Sequence, residues 1–231
     1  IEDASLPPVD KKWIREIIDS STDGYLPPEK VQQLLDAAGI QRAKEVVAST
    51  RQELLSGAKE IGYPLAMKVI GPVHKSDVGG VALNISDEET LLEKFRHMMT
   101  IPQTTAILMQ PMLSGTQIFI GAKREGNFGH LILCGLGGIF VETLKDINYS
   151  LSPVSREEAD EMIRTLRSYR ILEGTRGQEG VNIPMFSEAV RRVSALCQAA
   201  PEIFEMDINP LMAGTRQITA VDARIRIEKE R

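Results

Sequence analysis

Sulfur and imidazole are scarce in this chain, and each scarcity excludes something. Two cysteines and three histidines among 231 residues cannot build a zinc site, which would need more sulfur or histidines at ligand spacing. Cys134 and Cys197 lie far apart in apolar settings, Leu-Cys-Gly and Leu-Cys-Gln, and read as reduced packing residues of a cytoplasmic protein. No run of about 18 apolar residues occurs, so no helix is expected to span a bilayer. Positive charge is in deficit: a net charge of −5 and a pI near 5.4 argue against a nucleic-acid binder or a membrane-surface protein. Internal repeats, low-complexity tracts, an initiating methionine and a signal peptide are all lacking. The expectation is a segment of a longer polypeptide, or a processed or trimmed chain.

What remains is an ordinary globular composition, long enough to bury a substantial core. Residues 1–10 carry prolines and little pattern, as a linker to an upstream domain would. Residues 11–20 can form a short helix burying Trp13, Ile14, Ile17 and Ile18. Val31, Leu34, Leu35 and Ala38 recur at helical spacing up to Gly39. Ile40 to Ala48 reads as extended, Arg51 to Ile61 as helical, and Leu65 to Ile70 and Val81 to Ile85 as strands. Ser86 and Ser155 each stand three residues before a glutamate, the capping-box spacing that opens a helix. Ser187 can cap a helix whose apolar side holds Val190, Val193, Leu196 and Cys197. Short β-rich runs fill 106–110, 117–123 and 131–133. Helices and strands mix irregularly, which favours an α+β chain of two lobes over one doubly wound sheet. The lobes are expected at 11–108, with the N-terminal helix, and at 109–231.

The most informative stretch is Met67 to Val81. A strand carrying Lys68 runs into a turn with His74, Lys75 and Asp77, then into Gly79-Gly80. Cations beside bare backbone N–H groups suit a polyphosphate. A neutral imidazole among them adds a nitrogen nucleophile near pH 7, which simple anion binding does not require. A glycine pair after a strand and a solvated loop histidine are the plainer alternative. His97, near a helix end, and His130, at a strand start, read as structural or exposed.

The C-terminal region sorts its own faces. If 203–210 and 217–227 form a hairpin that turns at 213–216 and pairs Asn209 with Asp222, Asp207 falls opposite Arg224 and Glu205 opposite Arg226. Phe204, Met206 and Ile208 then share the other face with Val221, Ala223 and Ile225. A slip of one residue would spoil both faces. Asn209 and Asp222 would have Cβ atoms about 4.5–5.5 Å apart, close enough to share a hard cation such as Mg²⁺. Asp207 would orient that site or help hold the metal, with Arg224 able to neutralise it. A solvated hairpin laced with surface ion pairs remains the alternative.

Taken together, His74-Lys75-Ser76-Asp77-Val78-Gly79-Gly80-Val81, Gly135-Leu136-Gly137-Gly138-Ile139-Phe140-Val141-Glu142, and Asp207-Ile208-Asn209-Pro210-Leu211 with Val221-Asp222-Ala223-Arg224 resemble the ATP-grasp part of the ADP-forming acyl-CoA synthetases. The resemblance covers roughly 11–228. It implies an ATP-grasp fold whose two lobes clamp ATP or ADP with Mg²⁺. It also implies the reversible reaction acyl-CoA + ADP + phosphate ⇌ carboxylic acid + ATP + CoA, shared with a CoA-binding partner domain in cis or as an α subunit. By its place in the motif, His74 would relay the phosphoryl group, with Lys75 and Asp77 beside it. The resemblance further assigns Lys68 to the nucleotide phosphates and Gly79-Gly80 to the turn covering them. Gln110, Pro111, Met112 and Leu113 become the stretch whose backbone reads the adenine edge. Asn209 and Asp222 match the Mg²⁺ ligands, and Glu142 matches an acidic residue of the site.

One position departs from the pattern. Gln117 stands where the family usually has glutamate, near the ribose hydroxyls, and a neutral amide is the weaker acceptor. Two other readings stay open. One is a succinyl-CoA synthetase β-like ligase subunit, which needs no relay histidine; the other is a regulatory nucleotide-binding module fused to another enzyme.

Overall fold

The computed structural model describes residues 6–71, 79–138 and 140–229. In chain order the elements begin α1 (Lys11–Asp19), β1 (Gly24–Tyr25), α2 (Pro28–Ala37), β2 (Val46–Ala48), α3 (Arg51–Ile61), β3 (Leu65–Ile70), β4 (Val81–Ile85), α4 (Glu88–Met99) and β5 (Ala106–Pro111). They continue β6 (Thr116–Arg124), β7 (His130–Leu136), α5 (Phe140–Leu144), β8 (Ile147–Leu151), α6 (Arg156–Arg164) and α7 (Tyr169–Glu173). The last are α8 (Ile183–Ala199), β9 (Ile203–Ala213), β10 (Ile218–Ala220) and β11 (Ala223–Ile227). Helices and antiparallel sheets are mixed, as the α+β reading expects.

The division into units differs from the expected one. The smaller unit is Ala43–Leu113; the larger joins the segment ending at Arg42 to the one beginning at Ser114. Helices α1 and α2 therefore belong with the C-terminal half, not with a first lobe at 11–108. The reason is where their apolar stripes find partners: Ile14, Ile18 and Leu34 share a core with Val190, Val193 and Ile225. Residues 6–10 are likewise no free linker. Asp10 caps α1 by accepting from the Trp13 N–H at 3.0 Å, and its own N–H donates to the Ala37 carbonyl. Trp13 itself is only half-buried on that helix.

In the smaller unit the strands run in the order β2-β5-β3-β4, all antiparallel. Strand β3 lies between two neighbours, so its apolar residues are buried almost without alternation. Leu54 of α3 and Leu91 and Met98 of α4 close the core over Met67, Val69 and Met109. Asp87, not Ser86, caps α4, accepting from the Thr90 N–H at 2.7 Å. An ionised carboxylate at a helix start also meets the positive end of the helix dipole, which a hydroxyl does not.

In the larger unit the sheet order is β1-β11-β9-β6-β7-β8, with β10 extending the pairing of β9. One face carries Ile118, Ile120, Ile132, Ile208 and Ile225 into a core with α1, α2, α6 and α8. Ser155 caps α6 as expected, accepting from the Glu158 N–H at 3.1 Å. Helix α8 starts before Ser187, capped by Asn182 with Pro184 in its first turn, where a missing N–H costs nothing. Ser187 is buried inside the helix. Both cysteines are free and buried, and burial, with the nearby Asp146 charge adding, pushes the Cys134 thiol up to about 12. Among the described residues no helix is long and apolar enough to cross a membrane.

Candidate functional site

The hairpin holds one register from Ala213 back to Glu205. Leu211 pairs with Ala220, Ile208 with Ala223, Asp207 with Arg224 and Glu205 with Arg226. In the gap between β10 and β11 the Asn209 N–H donates to the Asp222 carbonyl at 3.0 Å, so these two residues stand against each other. The sorting of faces thus predicts the observed pairing, with two differences. Ala213 is still strand, paired with Ile218, and the turn closes from the Gly214 N–H to the Gln217 carbonyl. Phe204 leaves the apolar face: the ladder skips it between Glu205↔Arg226 and Ile203↔Ile227. Its ring instead carries the guanidinium groups of Arg226 and Arg124, 4.9 and 5.5 Å from the centroid.

The glycine-rich segment folds onto this hairpin. The Gly137 N–H donates to the Gln117 carbonyl at 2.8 Å, and the Gly138 N–H donates to Asn209 Oδ1 at 2.6 Å. Gly138 has a φ of +65°, and a Cβ there would collide with Gln117 Oε1. Three expected site features, Gln117, Asn209 and the glycine turn, are therefore neighbours, with Asp222 across the ribbon. Glu142 follows on the short helix α5; its side chain lies outside the described residues.

Asp207 is engaged otherwise than as a free metal ligand. It forms an ion pair with Arg224 at 3.3 Å, and chiefly its charge, with a smaller contribution from Asp222, holds the Arg224 guanidinium above its ordinary value. Among the described residues no three His, Cys, Asp or Glu side chains gather to hold a metal. Among the described residues the expected ligand oxygens that remain are those of the exposed Asp222 carboxylate and the second lone pair of Asn209 Oδ1. Two hard oxygens with solvent access fit Mg²⁺, which takes few protein ligands and retains water and phosphate oxygens.

In the smaller unit, Lys68 is half-buried on β3 between Val81 and Leu108. Gly79 has a φ of +71° and Gly80 accepts from the Val69 N–H through its carbonyl, which ties the residue before β4 to β3. His74, Lys75 and Asp77 lie outside the described residues. In the stretch at 110–113, Gln110 is buried and its amide donates to Glu45 Oε1 at 2.7 Å. Pro111 has no N–H, and the Met112 N–H is spent on the Pro64 carbonyl at 3.1 Å. Glu45 and the Asn209–Gly138 contact had no local signal in the sequence, because both are long-range pairings. Of the remaining histidines, His130 is structural: its Nε2 is 2.7 Å from the Ile203 carbonyl, so that nitrogen carries the proton.

The ATP-grasp domain family model matches residues 5–227, and the chain belongs to that family. It is 38% identical over 224 residues to the acetate–CoA ligase [ADP-forming] I subunit beta of Pyrococcus furiosus, covering 91% of this chain and 96% of that subunit. Against acetate–CoA ligase [ADP-forming] II of Archaeoglobus fulgidus it is 40% identical over 201 residues, 83% of this chain but 29% of that longer protein. The chain thus spans nearly all of the separate β subunit and under a third of the single-chain ligase.

Among solved structures it resembles the dinucleotide forming acetyl-coenzyme A synthetase 1 of Ca. Korarchaeum cryptofilum. The TM-score is 0.81 at 31% identity, over 95% of this chain and 100% of that one. A second structure of the same protein holds coenzyme A and Mg-AMPPCP, with a phosphohistidine segment pointing towards the nucleotide binding site; its TM-score is 0.79.

Proposed function

We propose that this chain is the nucleotide-binding part of an ADP-forming acyl-CoA synthetase, as a β-type subunit or as one segment of a longer ligase. The overall reaction is acyl-CoA + ADP + phosphate ⇌ carboxylic acid + ATP + CoA. The share assigned to this chain is the transfer between phosphohistidine and nucleotide. The P–N bond of the phosphohistidine breaks, a P–O bond forms to the terminal oxygen of ADP, and the imidazole recovers its lone pair. The observation that carries the reading is the 38% identity running along 96% of an ADP-forming ligase β subunit. The hairpin and glycine turn that join Asn209, Asp222 and Gly138 support it.

Phosphoryl transfer asks a protein mainly for positioning and charge neutralisation. Lys68 and Lys75 would supply positive charge along the phosphates. His74 accepts the group as the neutral imidazole, with Asp77 fixing its tautomer or holding Lys75. Asn209 and Asp222 would hold Mg²⁺, which when bound offsets charge on the phosphate oxygens. With Pro111 and Met112 unable to donate, an N–H reading the purine edge would fall to Leu113. The acid is selected in a companion CoA-binding part, in cis or as an α subunit, in a cytoplasmic setting that keeps the thiols reduced. With such a subunit supplied, the chain should form ATP from acetyl-CoA, ADP and phosphate. Equal ATP formation when the chain is left out would overturn the reading.

A further inference from the structure

A cavity of about 880 Å³ opens between α6, the first turns of α8 and the chain at Leu6 to Pro8. None of the residues expected at the nucleotide lines it. Four-residue spacing sets Arg156, Asp160 and Arg164 along one stripe of α6, while Pro184, Glu188 and Arg191 follow one stripe of α8. Arg191 is the unusual member. It is 7% exposed, and its Nε has no hydrogen-bond partner. Among the described residues its guanidinium also forms no ion pair.

The neighbouring Arg192 shows what a satisfied arginine looks like on this helix. It donates to Glu188 at 3.0 Å and to the carbonyls of Pro8 and Ala38, each at 3.2 Å. That pairing engages Glu188 Oε1, and no bond from Arg191 to Glu188 forms among the described residues. Arg164 reaches only the Asp160 backbone carbonyl, at 3.4 Å, and the Asp160 carboxylate has no ion pair among the described residues. Three guanidinium groups therefore line a space holding one uncommitted carboxylate, at the positive end of a 17-residue helix. Leu6, Ile183 and Met185 add an apolar stretch to the wall, beside Ser187.

We propose that this cavity binds a small organic anion, a carboxylate or phosphate monoester with an apolar body, whose oxygens take the Arg191 guanidinium. A planar guanidinium matches two oxyanion oxygens at once, and a buried one without a counter-charge is costly to keep. The volume is that of a pocket for a ligand with a carbon skeleton, far beyond the need of phosphate alone.

The test is calorimetric titration of the chain with phenyl phosphate, benzoate and inorganic phosphate, in the wild type and in Arg191→Met and Arg164→Gln. Phenyl phosphate or benzoate should bind at one site, about tenfold more tightly than inorganic phosphate. Arg191→Met should weaken that binding about tenfold and Arg164→Gln by less, with ADP binding unchanged in both. The ligand-free melting temperature of Arg191→Met should stay level or rise, since a buried unpaired charge is removed. Unaltered binding in Arg191→Met, or no binding of any probe at millimolar concentration, would overturn the proposal. If Arg191→Met does not fold, the wild-type Arg191 Nε–H resonance decides: it must shift on adding phenyl phosphate, and a fixed resonance refutes the site. Failure of ADP to bind would bear on the proposed function alone.

Discussion

Asn209 Oδ1 accepts a 2.6 Å hydrogen bond from the Gly138 N–H, 71 residues earlier in the chain. One amide oxygen thereby fastens the glycine turn to the hairpin, while the Asn209 N–H donates to the Asp222 carbonyl across the ribbon. The bond connects the stability of the unit to the geometry of the proposed cation site. Gly138 has room for no side chain there, because Gln117 lies over it.

Replacing Asn209 by alanine removes that acceptor and leaves a partly buried N–H unpaired. We expect a stability loss of about 1–2 kcal/mol in urea unfolding, together with weaker Mg²⁺-dependent ADP binding. A variant as stable as the wild type would show that the bond does not contribute.

Asp222 is exposed and its backbone carbonyl already serves the ladder, so Asp222→Asn should fold normally. The Mg²⁺ concentration giving half-maximal ADP binding should rise about tenfold, the loss of one charged ligand. An unchanged Mg²⁺ requirement would remove Asp222 from the site.

Gln117 is also exposed, beside the glycine turn. Gln117→Glu restores an ionised acceptor and should tighten ADP binding by roughly 1 kcal/mol. Calorimetric titration checks this, and equal or weaker binding refutes it.

His130 predicts a pH dependence of stability. Burial, opposed by the bond to the Ile203 carbonyl and reinforced by Arg124, lowers its pKa below the ordinary 6.5. In that window the unfolded chain binds the proton and the folded one does not. Stability is therefore fully present above 6.5 and falls as pH drops towards the depressed value. His130→Gln should flatten this part of the profile in urea unfolding. An unchanged slope would show that another group sets it.

Much of this was legible in the sequence because period-two sorting leaves a hairpin little choice. The charges at Glu205, Asp207, Arg224 and Arg226 and the apolar residues between them admit one register, and that register occurs. Phe204 escaped the rule because a bulge is a backbone event with no residue type to announce it. Ser155 caps its helix where no better acceptor stood nearby, although the Glu158 carboxylate takes the Ser150 hydroxyl; at Ser86 the adjacent Asp87 prevailed, and at Ser187 the cap lies five residues upstream at Asn182. The division into units was hidden for a different reason. An amphipathic stripe such as Ile14, Ile17 and Ile18 shows that a helix must be covered, not which distant strand covers it.

The most direct measurement is the fate of a radioactive terminal phosphate when the chain is incubated with labelled ATP and Mg²⁺. The account predicts an acid-labile, base-stable label on His74, abolished in His74→Ala while ADP binding persists. A wild-type chain that takes up no label, or a His74→Ala chain that takes it up fully, would contradict it.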